Sequence, residues 1–98
     1  MSWTVQFTAK AAKQTRDLPF EVNKSLKALV EAIKAYGPAL PEWPNFSKLK
    51  GKSDCYHCHI KKGRPTYVAV WQVINDEIKI VEIKYVGTHE GANYRRIC

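Results

Sequence analysis

The spacing of apolar residues changes along this chain, and the order of the changes limits its fold more than any other feature. Trp3, Val5 and Phe7 alternate with polar residues, which predicts a half-buried strand. From Pro19 to Tyr36, apolar residues recur every three or four positions, as on one face of a helix. Beyond Ser53 the spacing returns to two. A strand, then helices, then further strands indicate an α+β fold.

Two helices are predicted after the first strand. Thr8 can cap a short helix over Ala9 to Arg16, because its hydroxyl can accept a hydrogen bond from the first turn. Pro19 suits the first turn of a second helix, which Gly37-Pro38 ends. The apolar stripe of this second helix is predicted to consist of Val22, Leu26, Leu29, Ile33 and Tyr36.

The rest of the chain is predicted to be a long loop followed by three strands. Gly37 to Ser53 contains three prolines and no sustained period, so Trp43 and Phe46 are expected to anchor it. The strands are expected at Asp54 to Ile60, Thr66 to Ile74 and Ile78 to Val86. The predicted fold is an N-terminal strand, a helical hairpin and a three-stranded antiparallel meander, forming a single antiparallel sheet. With 98 residues, the chain should form one domain over residues 1-98.

Positive charge is concentrated in one part of the sequence. The formal net charge is +7, and Lys48 to Arg64 holds six basic residues and one acidic residue. This pattern favours nucleic acid or another acidic partner, although a basic loop that is merely solvated is the simpler alternative. The candidate phosphate-binding residues are Lys48, Lys50, Lys52, Lys61, Lys62, Arg64 and, near the C-terminus, Arg95.

Export and membrane insertion are not expected. No apolar stretch approaches the roughly 20 residues of a membrane helix, and the N-terminus lacks the basic and apolar regions of a secretory signal. A cytoplasmic protein without a membrane partner is therefore predicted. Cys55, Cys58 and Cys98 are an odd number of cysteines, which argues against a disulfide framework and predicts reduced thiols.

The run Cys55-Tyr56-His57-Cys58-His59 matches two kinds of site, c-type haem attachment and zinc coordination. The only methionine is Met1, which leaves no suitable methionine ligand for haem. Successive side chains of a strand point to opposite faces, so Cys55 and Cys58 could not converge on one zinc ion. Neither haem nor zinc is expected, and no cofactor is predicted. The same alternation places Cys55, His57 and His59 on one face, and Tyr56, Cys58 and Ile60 on the other.

The three histidines are candidates for proton transfer, because imidazole titrates near neutral pH. His57 and His59 share a strand face and precede a basic turn, whose charge could stabilise a phosphorane. His89 follows the last strand, where a side chain can lean over a cleft, and Tyr94 lies five residues later. A structural or merely exposed role for these side chains is the alternative.

Four segments occur in a recognisable order: Leu49-Lys50-Gly51, Cys55 to Ile60, Tyr67 to Val73, and Val86 to Glu90 followed by Tyr94. In this order they resemble the RelE/ParE superfamily of toxins from bacterial type II toxin-antitoxin systems, in particular the RelE/YafQ/HigB-like mRNA interferases. The resemblance implies an antiparallel sheet with an N-terminal helical hairpin and a cytoplasmic acidic antitoxin that wraps the toxin. It also implies cleavage of mRNA in the ribosomal A site without a metal.

The resemblance implies roles for individual residues. His59 and His89 match segments that position catalytic side chains in YafQ-type members, and His57 with His59 falls where RelE has two lysines. Tyr94 matches a C-terminal aromatic residue of the family. On this basis His59 is assigned as general base and His89 as general acid.

Two departures from the family pattern concern charge stabilisation. Val68 falls near the position where RelE contributes an arginine, and Arg64 is the candidate replacement. The aspartate that follows the catalytic histidine in YafQ-type members is missing after His59. Two hypotheses remain open: an mRNA endoribonuclease, and a binding protein that is either a ParE-type gyrase inhibitor or a basic nucleic-acid-binding module without catalysis. The presence of both His59 and His89 favours the nuclease.

Overall fold

The protein, described here by a computed structural model of residues 2–51 and 53–98, has the predicted order of strands and helices. Two short elements were not predicted, namely a strand within the expected loop and a helix after the last strand. Among the described residues, no helix is long and apolar enough to cross a membrane. The elements are β1 (Thr4–Phe7), α1 (Ala9–Arg16), α2 (Phe20–Tyr36), β2 (Ser47–Lys48), β3 (Cys55–Lys61), β4 (Tyr67–Asn75), β5 (Ile80–Thr88) and α3 (Tyr94–Ile97).

Both predicted helices form, and their ends follow local chemistry. Thr8 Oγ1 accepts a hydrogen bond from the Ala11 N–H at 3.0 Å and caps α1. α2 ends at Gly37, whose φ of 93° lies in the region that favours glycine. Four of the five stripe residues are buried, but the prediction for Tyr36 is wrong, because this last residue of α2 is 81% exposed. Apolar periodicity can continue into the last turn of a helix even where no other element packs against that turn.

The sheet is mixed and has five strands, which corrects the prediction of a single antiparallel sheet. Its strand order is β1-β5-β4-β3-β2. β1 runs parallel to β5, and all other neighbouring strands are antiparallel. Alternation shows which residues face the core, but it does not specify the partner of a strand or its direction. The parallel pairing of the first and last strands therefore could not be predicted.

The two faces of the sheet are covered differently. α1 and α2 pack on one face, above the larger cluster of buried residues, and there Trp71 Nε1 donates a hydrogen bond to the Pro38 carbonyl at 2.9 Å. Trp43 and Phe46 pack against this cluster, as predicted for the anchors of the loop. The opposite face is called the open face below. Beneath α3 it carries a smaller buried cluster, whose members are Cys55, Val68, Val70 and Tyr85.

Candidate active site

β3 presents two histidines on the open face. Burial along the strand alternates so that Cys58 and Ile60 join the core on the helical side, while His57 and His59 are partly buried on the other side. Cys55, two residues before His57, belongs to the cluster of the open face. The predicted division of this strand between two faces is therefore confirmed.

The short strand β2 holds His57. Ser47 lies opposite His57 in the strand register, with its Oγ 3.0 Å and its carbonyl oxygen 3.4 Å from His57 Nδ1. Burial lowers the pKa of His57, the Ser47 carbonyl opposes this by stabilising the charged ring, and His89 lowers the pKa further. Ser47 was not predicted as a site residue, because a strand of two residues is too short to show alternation.

His59 is also shifted toward its neutral form. Burial is the largest cause of its lowered pKa, followed by the charges of His89, His57 and Lys62. Its backbone N–H donates to the Pro44 carbonyl at 2.8 Å, so the proline-containing loop continues the pairing of β3 beyond β2. A neutral imidazole at working pH is the form that a general base requires.

His89 lies in the turn after β5, and hydrogen bonds to the backbone and side chains of this turn set its position. Its N–H donates to the Thr66 carbonyl at 2.8 Å. The Tyr85 hydroxyl donates to the Thr88 carbonyl at 2.9 Å, and the Gly91 N–H donates to Thr88 Oγ1 at 3.1 Å. His89 itself is exposed, so the turn presents its imidazole to solvent.

Gly87 and Gly91 make room for the Tyr85 hydroxyl that supports this turn. A Cβ atom would lie 2.8 Å from Tyr85 Oη at Gly87, and 2.9 Å from it at Gly91. A side chain at either position would push the hydroxyl away from the Thr88 carbonyl. Tyr85 is therefore a support for the His89 turn that sequence analysis missed. The sequence signal for this supporting role of Tyr85 is the pair of glycines two and six positions after it.

Tyr94 begins α3 and lies against two of the histidines. Asn93 Oδ1 accepts a hydrogen bond from the Arg95 N–H at 3.2 Å and caps the helix. The Tyr94 ring centroid is 5.2 Å from that of His57 and 6.3 Å from that of His89. Its hydroxyl is buried and has no hydrogen-bond partner among the described residues. Burial, and then Tyr85, raises the pKa of Tyr94, so the hydroxyl is protonated at neutral pH.

The structure brings the four predicted catalytic side chains into one cluster. The ring centroid of His59 is 5.5 Å from that of His89 and 6.3 Å from that of His57. Tyr94 completes the cluster beside His57 and His89. Two imidazoles from a strand and one from a separate turn can approach one phosphodiester from different sides, which is the arrangement that acid–base cleavage needs.

Those predicted phosphate-binding residues that the structure describes lie on β2, β3, α3 and the adjoining turns. Lys48 Nζ is 4.0 Å from an Asp54 carboxylate oxygen, but both side chains are more than half exposed, so this ion pair leaves the lysine charge accessible. Lys62 lies close enough to His59 to lower its pKa. Lys52 lies outside the described residues. The others are exposed: Lys50, Lys61, Arg64 and Arg95.

The cysteines correct one prediction. Cys55 and Cys98 form a disulfide, with Cα atoms 6.4 Å apart, so the prediction of three reduced thiols is wrong for this pair. An odd number of cysteines leaves one unpaired but does not prevent the other two from meeting, and α3, which was not predicted, brings Cys98 to Cys55. Cys58 is a free thiol buried on the helical side, where burial raises its pKa to about 12. In the described part of the chain, no three His, Cys, Asp or Glu side chains are grouped to hold a metal ion.

Comparison with known proteins shows similarity along nearly the whole chain. No protein-family model matches it. A Methanocaldococcus jannaschii protein whose curated name is "Putative toxin RelE1" is 30% identical over 92 residues, covering 94% of this chain and 96% of the relative. The solved structure of an E. coli toxin RelE variant with two arginine-to-alanine substitutions, in the free state, has a TM-score of 0.74 and 29% identity. It covers 94% of this chain and 88% of the E. coli chain.

Two structures of complexes are also similar. A chain of the intact E. coli RelBE toxin-antitoxin complex is 32% identical, with a TM-score of 0.69, over 89% of this chain and 96% of that one. A chain of the archaeal RelE-RelB complex from Pyrococcus horikoshii OT3 has a TM-score of 0.74 over 94% of this chain and 100% of that one. At 20% identity, the archaeal match shows the fold alone.

Proposed function

The chain belongs to the RelE family, the toxins of type II toxin-antitoxin systems, and from this premise we propose that it is a metal-independent endoribonuclease. Its substrate is mRNA, cleaved on the ribosome, and the cleavage represses translation. The observation that supports this proposal is the cluster of three histidines and Tyr94 on the open face, with neighbouring ring centroids 5.2 to 6.3 Å apart.

The reaction is an internal transfer of a phosphodiester. His59 removes the proton of the ribose 2′-OH, and the 2′ oxygen attacks the adjacent phosphorus. The bond from phosphorus to the 5′ oxygen of the next nucleotide breaks, and His89 donates a proton to that oxygen. The products are a 2′,3′-cyclic phosphate and a free 5′-OH. Proton exchange with water then restores both imidazoles.

The surroundings of His59 support its role as the base. Burial and nearby positive charge lower its pKa, so it is largely neutral at pH 7. His57 and Tyr94 orient the nucleotide beside it. The basic residues have two roles. The charge of the phosphorane is stabilised by Lys61, Lys62 and Arg64. The RNA backbone is bound by Lys48, Lys50, Lys52 and Arg95.

The inhibitor of this toxin is a cognate acidic antitoxin. A chain of the E. coli RelBE toxin-antitoxin complex is 32% identical to this chain. The net charge of +7, concentrated near β2 and β3, suits an acidic segment that covers the same surface. Expression without the antitoxin should arrest growth, and the association rate of the two proteins should fall as salt increases.

Single-turnover cleavage of mRNA on programmed ribosomes tests the proposal. Positioned proton transfer contributes about 10²- to 10⁴-fold, so His59→Ala and His89→Ala should each lose that much. Tyr36→Ala is the matched control, because it removes an exposed ring from the end of α2. It should cleave at the wild-type rate.

Folding and the competing activity must be measured in parallel. Each variant should keep its melting transition and its binding to the antitoxin. A folded His89→Ala protein that cleaves at nearly the wild-type rate would contradict the acid–base assignment. Gyrase-dependent DNA breaks in cells whose mRNA stays intact would contradict the nuclease and favour a ParE-type inhibitor.

A further inference from the structure

The disulfide joins the sheet to the end of α3 directly below the catalytic cluster. Cys55 lies two residues before His57 on the same face of β3, and Cys98 lies four residues after Tyr94. Two residues along a strand span about 6.6 Å, and four residues along a helix span about 6 Å. The two spacings match, so the bond between the cysteines and the contact between the Tyr94 and His57 rings tie α3 to β3 at two successive points.

α3 is too short to be stable on its own packing. The helix has four residues, none of them buried, and a helix this short is not stable alone. Its cap is the single Asn93 side chain, and its apolar contacts are with the small cluster of the open face. The covalent bond therefore ties to the sheet a helix whose own length would leave it marginal.

We propose that the Cys55–Cys98 disulfide positions Tyr94 against His57, so that reducing it lowers the rate of RNA cleavage. This inference rests on the proposed nuclease function. Cys98 acts here through Tyr94 and does not touch the substrate, so it is a positioning residue.

The reduction is a thiol–disulfide exchange with a small dithiol. The thiolate of the dithiol attacks Cys98 Sγ, because Cys55 is fully buried. This breaks the bond between the cysteines, forms a mixed disulfide and releases the Cys55 thiolate. The second thiol of the reductant then displaces the Cys98 thiolate. Two electrons pass to the protein, the dithiol becomes a cyclic disulfide, and both cysteines end as thiols. Cys58 takes no part, because it is buried on the opposite face.

The test compares four full-length proteins after treatment with oxidised glutathione or with dithiothreitol. They are the wild type, Cys58→Ala, Cys98→Ser and Tyr94→Ala. Wild type and Cys58→Ala, the matched control, should lose about tenfold in single-turnover cleavage when reduced, because misplacing a catalytic side chain is costly. Cys98→Ser should be slow under both conditions. Tyr94→Ala should be equally slow in both, because the side chain that the disulfide positions is gone.

An NMR measurement separates this inference from the proposed function. Cross-relaxation between the Tyr94 and His57 ring protons should be strong in the oxidised protein and weak in the reduced one, at a temperature where both are folded. If reduced wild type keeps both this contact and its cleavage rate, or cleaves faster, the positioning role is overturned and the nuclease stands. If none of the four proteins cleaves RNA, the proposed nuclease function is wrong, and the positioning role is judged from the ring contact alone. Loss of the contact on reduction supports the positioning role, and persistence of the contact overturns it.

Discussion

The two faces of the sheet are built on different principles. The helical face buries a large apolar cluster that includes Trp71, the largest fully buried side chain among the described residues. The open face buries four residues beneath a four-residue helix, and a disulfide, hydrogen-bonded turns and edge-on aromatic rings hold it together. Apolar packing therefore stabilises one face, while covalent and polar interactions set the geometry of the other.

This difference explains why the candidate site lies where it does. A histidine that must exchange protons needs access to water, so it cannot be placed in a fully buried cluster. It also needs a fixed position, which β3 and the supported turn after β5 provide. The open face can combine access to water with a fixed position, because the helical face supplies most of the stability of the fold. Substitutions on the two faces should therefore separate stability from activity.

The largest expected effect on stability is that of Trp71→Ala on the helical face. The ring stacks with Tyr56 and lies tilted against Phe46, and its Nε1 donates to the Pro38 carbonyl. Removing a fully buried tryptophan typically costs about 3–5 kcal/mol, a large part of the stability of a small domain. Urea unfolding measures the loss. Tyr94→Ala, which removes a partly buried ring of the open face, should cost about 1–2 kcal/mol. Equal losses for the two variants would contradict the comparison.

The disulfide should contribute most of the stability that belongs to the open face. Its cysteines are 43 positions apart in the sequence, and for a loop of this length the constraint of the unfolded chain is worth about 2–4 kcal/mol. Cys98→Ser should lose this amount, and dithiothreitol should lower the wild-type urea midpoint to that of the variant. Cys58→Ala, a small truncation in the core, should cost about 1 kcal/mol and keep its sensitivity to the reductant. A wild-type midpoint that dithiothreitol leaves unchanged would contradict this prediction.

Local sequence signals predicted the helical face well. The Thr8 cap, the Gly37 stop and four buried residues of α2 follow from the chemistry of single turns and from periodicity. The strands were located to within two residues at their ends. The parallel direction of β1 beside β5, the two-residue β2 and the four-residue α3 were not predictable. Direction depends on distant partners, and the two short elements are stabilised by contacts with the rest of the fold.

The candidate site was predictable as a set of residue types but not as a geometry. Alternation placed His57 and His59 on one face of β3, and that part required only local information. The approach of His89 to His59 depends on the β3–β4–β5 register, whereas the family resemblance indicated only that both histidines lie in segments that position catalytic side chains. Ser47 and the disulfide partner Cys98 were missed, because each acts through an element too short to leave a periodic pattern.

A smaller effect distinguishes two residues of β5, two positions apart, that lie on opposite faces because the β4–β5 register shifts between them. Ile83 is buried on the helical side, and Tyr85 supports the His89 turn through its bond to the Thr88 carbonyl. Ile83→Val and Tyr85→Phe should each cost about 1 kcal/mol, the first through lost packing and the second through a lost hydrogen bond. Only Tyr85→Phe should slow RNA cleavage, by up to about tenfold, because it loosens the turn. Equal cleavage by the two variants would show that the turn does not need this support.

The smallest expected effect is a dependence of stability on pH that arises on the open face. The pKa values of His57 and His59 are lowered in the folded protein, chiefly by burial, whereas both histidines titrate near 6.5 in the unfolded chain. As the pH falls below about 6.5, the unfolded chain therefore binds protons first, and the free energy of unfolding decreases. The stabilisation is complete above the unfolded pKa and is lost as the pH falls toward the folded values. The effect is small because both rings are only partly buried.

Carboxylates also titrate at low pH, so the measurement is a difference between two proteins. Urea unfolding is measured from pH 7.5 to 5 for wild type and for the double variant His57→Gln, His59→Gln. Wild type should lose more stability than the variant over this range. A variant that loses as much as wild type would show that the two imidazoles carry no such shift.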